Sequence, residues 1–149
     1  MAIEQLRKTL DIEPTFAHAH WFLGMAYLRK GAFAEAIAEF QRAITLSPNI
    51  TQYKAGLGHA YARAGKSAEA RKLLSELKEA SKRRYVSWCD FAAIYAGLGE
   101  KDQAFAFLEK AYEQRDAKLF IWGKGSPVLD PLRSDSRFAD LLRRIGLPP

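Results

Sequence analysis

The chain has 149 residues, 48% of them hydrophobic, and its 23 Lys and Arg exceed its 17 Asp and Glu to give a net charge of +6. That length suits one domain. The single cysteine, Cys89, excludes an internal disulfide framework and fits a reducing compartment. Arg7 and Lys8 interrupt the first apolar residues, so nothing resembles a signal peptide, and no apolar run reaches membrane-spanning length. The expectation is a cytoplasmic chain with no membrane contact.

In the first stretch, Ile3, Leu6 and Leu10 form one apolar stripe on a predicted helix that ends before Pro14. Next, Ala19, Phe22, Leu23, Ala26 and Tyr27 recur at three- and four-residue spacing. After the break at Gly31, so do Ala36, Ile37, Phe40, Ala43 and Ile44, up to Ser47-Pro48. This pair of helices from Ala17 to Ile50 is then repeated. A shift of 34 residues carries Leu23, Gly24, Tyr27, Gly31 and Ala36 onto Leu57, Gly58, Tyr61, Gly65 and Ala70, and a second shift onto Phe91, Ala92, Tyr95, Gly99 and Ala104. Subtracting 34 from Ala36, Phe40 and Pro48 gives Ala2, Leu6 and Pro14, so the stretch 1–16 reads as the second half of an earlier unit. The units are 17–50, 51–84 and 85–116. Gly31, Gly65 and Gly99 close the first helix of each in the left-handed conformation. Small residues at 24, 58 and 92 and at 36, 70 and 104 allow close helix approach, with Tyr27, Tyr61 and Tyr95 filling the space that remains.

The charge is not evenly spread. Between Thr51 and Arg84 there are nine Lys or Arg and three Glu, a balance of +6, while the remaining residues balance at 14 against 14. A solvated helix surface accounts for this; an acidic protein segment is the sharper alternative. Nucleic acid is argued against, because only Tyr85 accompanies Lys82, Arg83 and Arg84 and no nucleic-acid-binding signature appears. After Tyr112 the repeat fails. Phe120, Ile121 and Trp122 form a short apolar cluster that Gly123, Gly125 and Pro127 break into a loop. Asp135 then caps a last helix with apolar positions at Phe138, Leu141, Leu142 and Ile145. The region 117–149 is thus expected to close the open end of the array, with Arg137, Asp140, Arg143 and Arg144 on the wet side.

Candidate chemistry is thin. His18 and His20 point to different faces of one helix and cannot share a metal. Cys89 reads as a structural thiol, and Glu35, Glu39, Glu76 and Glu79 read as exposed helical charges. No phosphate loop or Ser-His-Asp signature is present, so the sequence implies no enzyme, no cofactor and no metal.

Leu23-Gly24, Tyr27, Ala36, Phe40 and Pro48, repeated with the same period, resemble the tetratricopeptide repeat, whose pattern is Trp-x-x-Leu-Gly-x-x-Tyr, then Ala-x-x-x-Phe, then Pro. The departures are at the tryptophan, where His20 stands with Trp21 one place late, Lys54 follows in the second unit and Trp88 restores it in the third; the proline persists only in the first unit. The resemblance implies an all-α fold, a right-handed α-solenoid of antiparallel helix pairs with a C-terminal capping helix. It also implies a concave groove lined by the first helices. The groove residues would be His18, Trp21, Phe22, Met25 and Arg29, then Gln52, Ala55, Gly56, His59 and Arg63, then Val86, Cys89 and Asp90. Trp21, displaced from the inward place, is expected to be exposed, while packing competes for Phe22 and Met25. The cationic clamp of chaperone-binding members would fall on Trp21, Met25, Gly56, Val86 and Asp90, none of which suits it. The Asp-Pro-Leu-Arg-Ser-Asp run resembles a tail that follows such repeats in some bacterial signalling and regulatory proteins. Two readings follow: a scaffold that binds a partner's peptide segment in its groove, or a regulatory domain that acts by intramolecular docking or self-association. A half repeat at the start also leaves the Ile3, Leu6, Leu10 stripe short of cover, so a second copy, in a homodimer through that helix, or a neighbouring domain is expected to supply the missing surface.

Overall fold

A computed structural model describes residues 2–149, in which nine α-helices and one 3-10 helix follow one another with no strand among the described residues. The helices are α1 (Ala2–Ile12), α2 (Ala17–Lys30), α3 (Phe33–Leu46), α4 (Thr51–Arg63), α5 (Ser67–Ser81), α6 (Trp88–Gly97), α7 (Lys101–Glu113), α8 (Ala117–Gly123) and α9 (Ser136–Arg144), with the 3-10 helix Pro127–Leu132 between the last two. Helix α2 packs on α3, α4 on α5 and α6 on α7, and each pair leans on the next through α3 against α4 and α4 against α6. The result is a helical solenoid.

The repeated glycines explain why each hairpin turns where it does. Gly31, Gly65 and Gly99 have φ of 77°, 82° and 76°. At each, the N–H of the following residue reaches back to a tyrosine carbonyl, as Ala32 to Tyr27 (2.9 Å), Lys66 to Tyr61 (2.8 Å) and Glu100 to Tyr95 (3.0 Å). Helix α7 ends in the same bond, Asp116 N–H to the Ala111 carbonyl at 2.9 Å, but the left-handed place is held by Arg115 at φ 54°.

The core runs along the seam between the helix layers, with Phe40, Leu77, Ile94 and Leu108 fully buried and Ala36, Ala70 and Ala104 at the close contacts. A Cβ on Gly24 would stand 2.7 Å from the Phe40 ring, which is the space the small residue leaves for that ring. Not every expected surface charge is exposed. Glu39 is buried, bound to His20 Nδ1 (2.6 Å) and to Arg42, while His20 Nε2 lies 2.9 Å from the Pro14 carbonyl. The histidine in the tryptophan's place is polar, so it draws a carboxylate inward.

Helix α1 lies on α2 with Ile3, Leu6 and Leu10 half-buried against the core, and Arg7 bonds to the Tyr27 hydroxyl at 2.5 Å. At the other end the tail departs from the expected loop. Residues 117–123 are helical, Trp122 is buried, and the 3-10 helix buries Val128, Leu129 and Leu132 against α6 and α2. Asp135 caps α9 by accepting the Arg137 N–H at 2.9 Å, as expected. Two of the three arginines expected on the wet side reach back to α7, Arg137 pairing with Asp102 at 2.8 Å and Arg144 with Glu109, while Arg143 pairs with Asp140 of its own helix.

Candidate functional site

The concave face of the solenoid holds a cavity of about 710 Å³ between α2, the start of α4, the turn at Tyr85 to Ser87, α8 and the Ser126-Pro127 approach to the 3-10 helix. Its α2 wall is aromatic. His18 stacks on Trp21 with ring centroids 5.1 Å apart, meets the edge of Phe22 at 4.7 Å, and places Nδ1 3.1 Å from the Tyr53 hydroxyl of α4. Trp21 also faces Tyr53, at 6.4 Å.

Of the residues expected to line the groove, His18, Trp21, Phe22, Met25, Arg29 and Gln52 do line the cavity. The expected exposure of Trp21 is corrected: it is only 8% exposed, whereas Phe22 is 48% exposed. One residue is about 100° around a helix, and that rotation turns the late tryptophan onto α4 rather than out to solvent. Ala55, Gly56, Val86 and Cys89 are buried in the core. His59 is buried too, with Nδ1–H donating to the Ala93 carbonyl at 2.7 Å. Burial, the largest influence, pushes its imidazole down to about 4. Asp90 is fully buried, bound by Lys118 Nζ at 2.8 Å and the Thr51 hydroxyl at 2.8 Å, and burial still raises its carboxyl above the usual range. Arg63 is exposed but lies over the Phe33 ring at 5.1 Å, away from the cavity. Packing between the repeats accounts for much of this, since Gly56 faces the Phe40 ring of α3 and His59 faces α6; the tail adds to it. The 3-10 helix packs on α2 and α6, and Arg29 donates to the Gly125 carbonyl, so chain from the C-terminal region covers part of the surface that a bare array would present.

The sequence reading missed the wall opposite α2. Asp116 accepts the N–H of Lys118 (3.0 Å) at the start of α8, the Tyr85 hydroxyl (2.8 Å) and the Ser87 hydroxyl (2.5 Å), while Ser87 caps α6 by accepting the Cys89 N–H at 3.1 Å. Tyr85 is 72% exposed, but partial desolvation and then the bond to Asp116 raise its phenol to about 12. Lys118, besides binding Asp90, lies 5.2 Å from the centre of the Trp122 ring. Asp116 before an apolar run was a legible cap signal; the meeting of Tyr85, Ser87 and Asp116 depends on tertiary packing.

The Tyr85 hydroxyl, Ser87, Asp116 and Lys118 of that wall thus have partners, and the apolar side chains most exposed beside them are Ile121, 65% exposed, and Phe22, 48% exposed, together with the Tyr85 ring. Two buried polar atoms lack partners among the described residues, Trp21 Nε1 and Ser126 Oγ, and both residues line this cavity. Each such group costs about 1–3 kcal/mol while unpaired. The one thiol, Cys89, is buried and pushed up to about 12, chiefly by burial, so it is poorly suited to act as a nucleophile. Among the described residues no three His, Cys, Asp or Glu side chains group as metal ligands, and no helix is long and apolar enough to cross a membrane.

Helix hairpins turned at a glycine at a constant spacing of 34 residues and stacked on one another define a repeat solenoid. The family model described as tetratricopeptide repeat matches residues 2–122, and the chain belongs to that family. The match takes in α1 at one end and α8 at the other. A search of the curated proteins finds no match.

Proposed function

We propose that this chain is a non-catalytic protein-interaction module that receives a short segment of a partner protein in the concave cavity, an apolar side chain resting against Phe22 and Ile121. The observation that carries this reading is the contrast between those two exposed apolar residues and a polar wall whose charged groups already have partners, Lys118 in Asp90 and Asp116 in the Tyr85 and Ser87 hydroxyls. An apolar anchor gains area there without displacing an ion pair, and buried anchors dominate such interfaces. Trp21 Nε1 and Ser126 Oγ are the groups a main-chain carbonyl would have to meet. We read the architecture as a half unit at 1–16, repeat units at 17–50, 51–84 and 85–116, and a cap at 117–149. The free buried thiol of Cys89 supports a reducing, cytoplasmic setting.

Selection of peptides from a random displayed library on the immobilised protein tests this. Enriched sequences should share a bulky apolar residue and lose about 2 kcal/mol of binding on Phe22→Ala. Unchanged affinity would remove the site. A second reading, the regulatory domain of a longer bacterial signalling protein, is favoured by one observation: the chain already docks its own Pro127–Leu132 segment on α2 and α6.

A further inference from the structure

Away from the concave cavity, a second cleft of about 750 Å³ opens between Pro48-Asn49, α4, α5 and the turn that leaves α5. Four cations line it, Lys54, Lys72, Arg83 and Arg84, with Glu76 and Glu79. Glu79 is occupied by Lys82 at 2.9 Å, which with Arg83 holds its carboxyl below the usual range. Among the described residues none of the four cations has a carboxylate partner; Arg84 reaches only the Asn49 amide oxygen, at 3.3 Å. The contrast with the tail is direct, since Arg133, Arg137, Arg143 and Arg144 each sit on an Asp or Glu. A helix C-terminus attracts cations, and that accounts for Arg83 and Arg84 beyond α5. It does not account for Lys54, on the first turn of α4, or for Lys72, in the middle of α5.

We propose that this cleft binds an acidic peptide segment, a run of Asp and Glu on a partner protein. Four cations against one free carboxylate focus a positive potential in a recess, where flexible carboxylates gain most. A nucleic acid fits less well. Its evenly spaced phosphates would pass Glu76 and Glu79, and the cleft lining contains no aromatic ring on which a base could stack. The cleft shares no lining residue with the concave cavity, so both can be filled together.

Fluorescence anisotropy with a labelled Glu/Asp/Ser peptide of about a dozen residues tests the proposal, beside a DNA duplex of equal charge. The peptide should bind and weaken as salt rises from about 50 to about 300 mM. Lys72→Glu with Arg83→Glu should lower affinity at least about tenfold, whereas Lys30→Glu with Lys101→Glu, the same change in net charge, should lower it less than about twofold. Circular dichroism on both double variants checks that the helices persist, and Phe22→Ala should leave this binding unchanged. Equal losses in the two double variants would mean a general attraction to a basic protein and would overturn the site. So would no binding at low salt, or tighter binding of the duplex with the same dependence on Lys72 and Arg83.

Discussion

Gly58 on α4 and Ile94 on α6 stand so close that a methyl group on Gly58 would lie 2.6 Å from Ile94 Cδ1 and 2.7 Å from its Cγ1. Ile94 is fully buried, so it has little room to withdraw. Gly58→Ala should therefore destabilise the fold by about 1–3 kcal/mol, and Ile94→Ala alone by about 2–5 kcal/mol. Because the new methyl would occupy the space the isoleucine vacates, the double variant should cost clearly less than the two single costs added together. Urea unfolding of all four proteins measures the coupling, and simple additivity would show that the helices separate instead.

Acid should act through His59. Its imidazole is lowered to about 4 in the folded chain, against about 6.5 when unfolded. The unfolded chain then binds the extra proton first, so this contribution is present above about pH 6.5 and is lost as pH falls towards 4. The difference corresponds to roughly 3 kcal/mol. His59→Asn keeps an N–H for the Ala93 carbonyl and removes the titration. Its thermal midpoint should vary less between those two pH values than that of the wild type, and an identical pH profile would place the acid sensitivity elsewhere.

Arg115 holds by itself the left-handed conformation that glycine holds at the ends of α2, α4 and α6, with φ of 54°. A side chain there costs roughly 1–2 kcal/mol, partly offset by the unfolded-state freedom glycine adds. Arg115→Gly should raise stability by about 0.5–1 kcal/mol. A drop in the denaturation midpoint would mean that the arginine makes a compensating contact.

Helix α1 packs mainly on α2 and leaves apolar side chains in the open. Ile12 is 86% exposed, and Ile3, Leu6 and Leu10 are only half covered. We expect two copies to pair through this helix at high concentration, since a self-complementary contact closes on itself. Sedimentation velocity should show a concentration-dependent dimer that Leu6→Glu and the milder Ile12→Glu both abolish. A monomer at every concentration would fit Arg7 and its neighbours shielding the stripe instead.

How far these features could be read beforehand depends on their range. The hairpins were legible because Gly31, Gly65 and Gly99 and the alanines of the second helices act on their own turn of chain, where composition and period decide the outcome. The Asp135 cap was legible for the same reason. On α2 the helical period alone put His18, Phe22 and Arg29 on one face, and these residues line the cavity. On α4 the same period holds only for Gln52, at the start of the helix, while Ala55 and His59 of α4 and Asp90 of α6 are buried. The tail segment that packs on α2 and α6, Pro127–Leu132, has a 3-10 conformation with no long apolar period, and its contact with α2 spans about a hundred residues of chain. Lys118 meeting Asp90, and Glu39 drawn in by His20, are likewise tertiary pairings that no local spacing announces.

That 3-10 segment changes what kind of object the array is. A bare solenoid behaves like a spring: its coils touch only their neighbours, so it can stretch, bend or melt from either end. Here the last part of the chain is fastened to an early coil, through Val128, Leu129 and Leu132 on the inside and Arg29 at the Gly125 carbonyl. A fastened spring cannot lengthen one coil at a time. Opening any hairpin between α2 and α8 must break the fastening or strain the rest, so the protein should resist pulling until it gives way all at once. It should also refold slowly for an all-helical chain, because the ends must find each other before the fastening can form.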